Sequence, residues 1–145
     1  DWSSDVCSSD LEGKESLKHQ EHTRGTINAI QGHFGPQPWV AERAFSHEIG
    51  FGGKVDLHAP GFVADIKTKD FSEGDKVEGY DEHLMQLSAY RVGLGMPDAR
   101  CANVFVSRSV PGLVKIVEWS QEDLERGWRM FHHVLQFWQE KNNHR

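Results

Sequence analysis

Cysteine is nearly absent from this chain. Only Cys7 and Cys101 occur in 145 residues, which leaves no disulfide framework within the folded part and suits a reducing compartment. No apolar run approaches the roughly 20 residues that cross a bilayer. No opening stretch has the basic head and apolar middle of a signal peptide, so a cytoplasmic protein without membrane contact is expected. Basic charge is also scarce, with 16 Lys and Arg against 22 Asp and Glu and a formal net charge of −6. That balance argues against a broad basic face for nucleic acid. Asp1, Asp5 and Asp10, however, carry three of those charges with no basic residue beside them. A metal centre would also bring positive charge that a residue count omits.

What is present fits one globular domain: 37% hydrophobic and 26% charged residues over a length with no room for two domains of ordinary size. Residues 1–11, DWSSDVCSSDL, lack helical or strand periodicity and look like translated sequencing-adaptor read-through. They are expected to be a non-native segment, the alternative being a disordered polar tail, with residues 12–145 as the folded domain. On the adaptor reading, the natural N-terminus is expected to be missing.

Leu17 to about Phe34 reads as a helix, ended by Gly35, Pro36 and Pro38. Trp39 to His47 then reads as a strand, with Trp39, Ala41 and Phe45 on one face and Val40, Glu42 and Ala44 on the other. Gly50, Gly52 and Gly53 are expected to turn the chain into a second strand, Lys54–His58, and His-Ala-Pro-Gly turns into a third, Phe62–Lys69. Three strands with tight connections make an antiparallel meander. After a polar loop, a helix from about Tyr80 to Gly93 carries Leu84 and Leu87, with Gln86 and Tyr90 one above the other on one stripe. A strand from Ala99 to Ser107 and another from Leu113 to Trp119 form a hairpin. Ser120 and Asp123 make an N-cap for the last helix, whose Leu124, Trp128, Phe131, Leu135 and Trp138 face is expected to be core.

The chemistry centres on Gly52–Lys69. Asp65 and Lys67 lie two apart on one strand and share a face, while Ile66 points the other way. An Asp and a Lys among Phe62, Val63, Ala64 and Ile66 are costly to bury without compensation. Asp56, arriving from the neighbouring strand, adds a second carboxylate and aggravates the conflict. A divalent cation resolves it, and two carboxylates with a main-chain oxygen suit Mg²⁺ or Mn²⁺. The plain alternatives are a surface ion pair for Asp65 and Lys67, contributing about 0–1 kcal/mol, and a turn-terminating Asp at 56.

Gly53-x-x-Asp56, Asp65-x-Lys67 and Gln86-x-x-x-Tyr90, in that order, resemble the PD-(D/E)XK nuclease superfamily in its RecB-like, phage-exonuclease branch. The resemblance covers about Trp39 to Ser107. It implies an α/β (α+β) restriction-endonuclease-like core with a mixed sheet and the order α-β-β-β-α-β-β-α. It implies a metal-dependent DNA nuclease, an exonuclease by branch, for phage or bacterial DNA processing, recombination or repair. By the same resemblance Asp56, Asp65 and the Ile66 main-chain carbonyl would hold Mg²⁺ or Mn²⁺, with Glu42 as a candidate outer ligand. Lys67 would help activate the attacking water, and Gln86 and Tyr90 would support the site or the DNA backbone. Many relatives place a metal-binding His on the helix ahead of the strands. Here Arg24-Gly25-Thr26 resembles that signature, but Ala29 stands where the His is expected, so His33, His22 or an upstream His would have to serve. Relatives also act as homo-oligomers or with recombination partner proteins.

Competing readings remain. A non-catalytic DNA-binding or assembly module would keep the fold without needing the costly Asp56, Asp65 and Lys67 trio, and a small-molecule phosphoesterase lacks its glycine-rich phosphate loop. Tyr90 is nearly as well explained as a half-buried tyrosine bonding a loop carbonyl. Glu42 reads better as a solvent-facing or salt-bridged strand residue than as a ligand. His58 shares the Asp56 strand face but reads better as a surface histidine. Lys54, Lys69, Lys76 and Arg91 could meet phosphates or simply be solvated.

Overall fold

The computed structural model describes residues 17–143, with side chains from residue 24 onward. The N-terminal segment at 1–11 and the side chain of His22 lie outside the described residues. Eight elements follow in order: α1 (Leu17–Phe34), β1 (Val40–His47), β2 (Phe51–Ala59), β3 (Phe62–Lys69), α2 (Asp81–Gly93), β4 (Arg100–Ser107), β5 (Val114–Trp119) and α3 (Gln121–Lys141). This is a mixed α/β fold in the expected element order.

One five-stranded sheet runs β1-β2-β3-β4-β5 in chain order. β1, β2 and β3 form the antiparallel meander, β4 and β5 an antiparallel hairpin, and β3 pairs with β4 in parallel. A parallel step needs a crossover, which α2 supplies. Alternation along β3 and β4 divides the core between two faces. Ala64, Ile66, Ala102, Val104 and Val106 pack under Ile30 and Phe34 of α1. Val63 and Cys101 turn the other way, toward Leu84 and Leu87 of α2 and Leu124 of α3. α2 and α3 approach closely at Gly127, where an added Cβ would collide with Ser88 Oγ and stand 2.8 Å from Leu84 Cγ. Ser120 caps α3 by accepting the Asp123 amide hydrogen at 3.1 Å, as expected. Among the described residues no helix is long and apolar enough to cross a membrane.

Four expectations need correction. β2 begins at Phe51 rather than Lys54. The turn is made by residues 48–50, with Gly50 at φ +107°, while Gly52 and Gly53 sit inside the strand because neighbours crowd them. A Cβ on Gly52 would lie 2.8 Å from the Phe45 carbonyl oxygen, and one on Gly53 2.9 Å from Tyr90 Cε1.

Trp39 and Phe45 do not share a face. Trp39 packs with the α1 layer and Phe45 with the α2 and α3 layer. The reversal falls at Glu42, whose φ of +53° breaks the two-residue alternation. The neighbouring strand mirrors it, since Val55 and Leu57 also lie on opposite faces.

The apolar face of α3 is only partly core. Leu124 and Leu135 are buried, but Trp138 is 48% exposed, and the adjoining Phe137 is 68% exposed. His58, expected at the surface, is buried at 8% exposure. Burial and the Arg43 charge hold its pKa below the usual histidine range.

Candidate active site

The β2–β3 ladder contains three pairs, Leu57 with Ala64, His58 with Val63 and Ala59 with Phe62. β2 stays paired with β1 all the way back to Phe51. The β1–β2 ribbon therefore peels away from β3, and the next residues in the lost register, Asp56 and Asp65, stand at the fork. Asp65, between Ala64 and Ile66 of the α1 face, turns toward the α2 and α3 layer, while the Asp56 carboxylate enters the gap between the strands.

Asp56 takes over the bond that the ladder gives up. Its Oδ2 accepts the Ile66 amide hydrogen at 2.8 Å. In a strand, a residue's N–H and C=O project to the same edge. The Ile66 carbonyl thus faces the same gap, beyond the last β2–β3 ladder pair.

Both carboxylates are buried, Asp56 at 5% and Asp65 at 3% exposure. Lys67 Nζ is 3.1 Å from Asp65 Oδ2. It does not lie along a hydrogen-bonding direction, and that oxygen has no hydrogen-bond partner. Burial first, and the Asp56 charge second, push the Asp65 pKa up to about 7, against a smaller lowering by Lys67. One ammonium is insufficient for two sequestered carboxylates. The orphaned oxygen and the raised pKa are what a site looks like when its donors fit a cation. Two carboxylates and a carbonyl suit Mg²⁺ or Mn²⁺, which keep several waters. Among the described residues no group of three Asp, Glu, His or Cys side chains converges for a metal, so the side-chain donors there are this pair.

A cleft of about 580 Å³ opens beside Lys67, lined by Lys67, Gly53, Phe45, Phe51, His83, Gln86, Tyr90 and Phe131, among others, while Asp56 and Asp65 lie behind its wall. Gln86 Nε2 donates to the Tyr90 hydroxyl at 2.7 Å. Burial, and then the Asp65 charge, push the Tyr90 phenol up to about 12, so it stays protonated. The α2 stripe thus shares the cleft with Lys67, and Tyr90 is close enough to feel the charges of Asp65 and Asp56.

His83, which the sequence reading passed over, lies one turn before Gln86 on the same stripe. Its Nδ1 accepts the Tyr80 amide hydrogen at 3.1 Å. Burial and the Lys67 charge lower its pKa. Its position three residues before Gln86 was the available signal.

Other candidates are placed elsewhere. Glu42 pairs with Lys54 at 3.5 Å and is not gathered with Asp56 and Asp65. His33 bonds Glu118 at 2.9 Å from α1, on the opposite face of the sheet, and cannot stand in for a metal-binding histidine. Gly25 is a packing residue, since a Cβ there would lie 2.8 Å from the Gly112 backbone. Arg91 is buried and donates to the Ala99 carbonyl and to Gln121, which removes it from phosphate contact. Lys69 lies over the Tyr80 and Phe105 rings, and Lys76 lies 4.0 Å from Glu78.

No protein-family model matches the chain, and no curated protein sequence matches it. Among solved structures, it is similar to the crystal structure of a "Putative exonuclease" from Eubacterium rectale, with TM-score 0.59 and 13% identity over 86% of this chain. The match spans 55% of that protein, so this chain corresponds to about half of it. A second structure, SSO0001, matches with TM-score 0.36 and 17% identity over 78% of this chain and 56% of that one, a likeness too slight to carry argument. The chain thus shares its mixed α/β fold with that part of the Eubacterium rectale protein.

Proposed function

We propose that the chain is a Mg²⁺- or Mn²⁺-dependent deoxyribonuclease of the PD-(D/E)XK kind. In this reading it acts as an exonuclease in phage or bacterial DNA processing, recombination or repair. The observation that carries the reading is the buried Asp56 and Asp65 pair at the fork, with Lys67 3.1 Å from Asp65. The fold shared with a protein named for exonuclease activity supports it.

In this reading Asp56, Asp65 and the Ile66 carbonyl hold the ion. A bound divalent ion supplies Lewis-acid polarisation of the phosphate. Hydrolysis forms a bond from water oxygen to phosphorus and breaks the bond to the leaving sugar oxygen, while negative charge grows on the phosphoryl oxygens. Lys67, which opens onto the cleft, sets an ammonium where that charge develops. Tyr90, kept protonated and steadied by Gln86, offers its O–H to the same oxygens. With Nδ1 occupied by the Tyr80 amide, the neutral His83 ring carries its proton on Nε2.

One observation favours the non-catalytic DNA-binding or assembly module: only two acidic ligands converge among the described residues. The two readings part on linear duplex and single-stranded DNA incubated with Mn²⁺, with and without EDTA, for the parent and Lys67→Ala. Cutting that needs Mn²⁺ and is lost in Lys67→Ala supports the nuclease. Binding without metal-dependent cutting supports the module.

A further inference from the structure

Asn103 is fully buried on β4. It is the parallel register partner of Asp65, and partners in a sheet point to the same face. Cys101, two residues earlier, packs toward α2 and α3, so Asn103 stands on the carboxylate face beside Asp65. Its amide orientation is fixed from the far side. Trp119 Nε1 on β5 donates to Asn103 Oδ1 at 2.9 Å, an acceptor role that only the oxygen can fill. β4 lies between β5 and β3, so an amide whose oxygen is held toward β5 presents its nitrogen toward β3. That nitrogen has no hydrogen-bond partner, and neither does Asp65 Oδ2. A buried donor and a buried acceptor, both unsatisfied, thus occupy adjacent register positions on one face. Leaving either unmade is costly.

We propose that Asn103, locked by Trp119, is a positioning residue for Asp65: its unpartnered Nδ2 is placed to donate to the Asp65 carboxylate and so to fix the orientation in which that carboxylate takes the divalent ion. Nothing in the D-x-K spacing points to it, because the pairing crosses from β3 to β4. The metal half of this inference rests on the nuclease reading, whereas the Asn103 to Asp65 contact does not. Outer-sphere partners of this kind typically change metal affinity 10- to 100-fold when removed.

The test has a metal-free arm and a metal arm. In EDTA at pH 8, Asn103→Leu is expected to lower the thermal midpoint of the parent, because the ionised Asp65 loses its donor. In an Asp65→Leu background the same substitution is expected to lower the midpoint by a smaller amount, because only the Trp119 N–H then loses its partner. An equal shift in both backgrounds would mean that Asn103 serves Trp119 and local packing alone, and overturns the proposal. In the metal arm, calorimetric titration with Mn²⁺ is expected to show binding weakened about 10- to 100-fold by Asn103→Leu. Trp119→Phe, which frees the amide but keeps the donor, is expected to weaken it by a smaller factor. Unchanged Mn²⁺ affinity in a folded Asn103→Leu protein overturns the metal role. A parent that binds no Mn²⁺ defeats the nuclease reading instead, and leaves the metal-free arm to decide the contact.

Discussion

Asp56 Oδ2 stands 2.8 Å from the Ile66 amide nitrogen, so a side chain of β2 replaces the backbone acceptor that an unbroken ladder would supply. One carboxylate thereby caps the end of a ladder and stands beside Asp65. The fork costs the sheet further β2–β3 pairs, and the Asp56 bond recovers one of them.

Asp56→Asn and Asp56→Leu should therefore separate the two jobs. Asn keeps an oxygen for the Ile66 amide, so its urea midpoint in EDTA should stay near or above the parent value, while metal-dependent DNA cutting falls at least a hundredfold. Leu leaves a buried N–H without an acceptor, which costs about 1–3 kcal/mol. Equal stability of the two variants would show that the hydrogen bond contributes nothing.

Asp65 gives a pH signature. Its pKa rises from 3.8 to about 7 in the folded, metal-free chain. Between those values the folded state keeps a proton that the unfolded state has lost. The group's contribution is thus fully present at about pH 4 and disappears as pH climbs toward 7, at no more than ~1.4 kcal/mol per pH unit. Urea melts in EDTA from pH 4 to 8 should show this decline in the parent and its absence in Asp65→Asn. Added Mn²⁺ should stabilise the parent above pH 7 and leave Asp65→Asn nearly unmoved.

The element order and the pairing of Asp65 with Lys67 were legible because they rest on local signals. Period-2 alternation marks β3, Gly-Pro punctuation ends α1, and an Asp and a Lys two apart in an apolar strand stand out whatever surrounds them. The start of β2 was not legible, because Gly52 and Gly53 look like turn residues until Phe45 and Tyr90 are seen against them. The face reversal at Glu42 was equally hidden, since positive φ at a glutamate carries no sequence mark. His33 falls on the wrong face for the same class of reason: which side of a sheet a helix covers is decided by tertiary packing. Asn103 needed the β3–β4 register, which pairs residues 38 positions apart.

Gly53 should tolerate no side chain. An added Cβ would sit 2.9 Å from Tyr90 Cε1 and 3.4 Å from Phe45 Cε1, well inside contact distance. Gly53→Ala should cost about 1–3 kcal/mol by overpacking and should reduce cleavage by displacing Tyr90 from the cleft wall. In a Tyr90→Ala background the same substitution should cost much less, because the obstructing ring is gone. Additive urea midpoints across the two substitutions would remove Tyr90 as the cause.

Tyr90 itself distinguishes packing from chemistry. Its ring meets Phe45 at 5.9 Å in an edge-on arrangement, and its hydroxyl accepts from Gln86. Tyr90→Phe keeps the ring contact and removes only the hydroxyl, so stability should change by about 1 kcal/mol or less. If the O–H meets a phosphoryl oxygen during cleavage, kcat should fall about 10- to 100-fold, the range for one hydrogen bond to a charged group, with little change in KM for DNA. Gln86→Ala leaves the hydroxyl in place but unsteadied and should give a smaller loss in the same direction. Full activity in Tyr90→Phe would assign Tyr90 to the wall of the cleft and leave Lys67 as the cationic donor facing the phosphate.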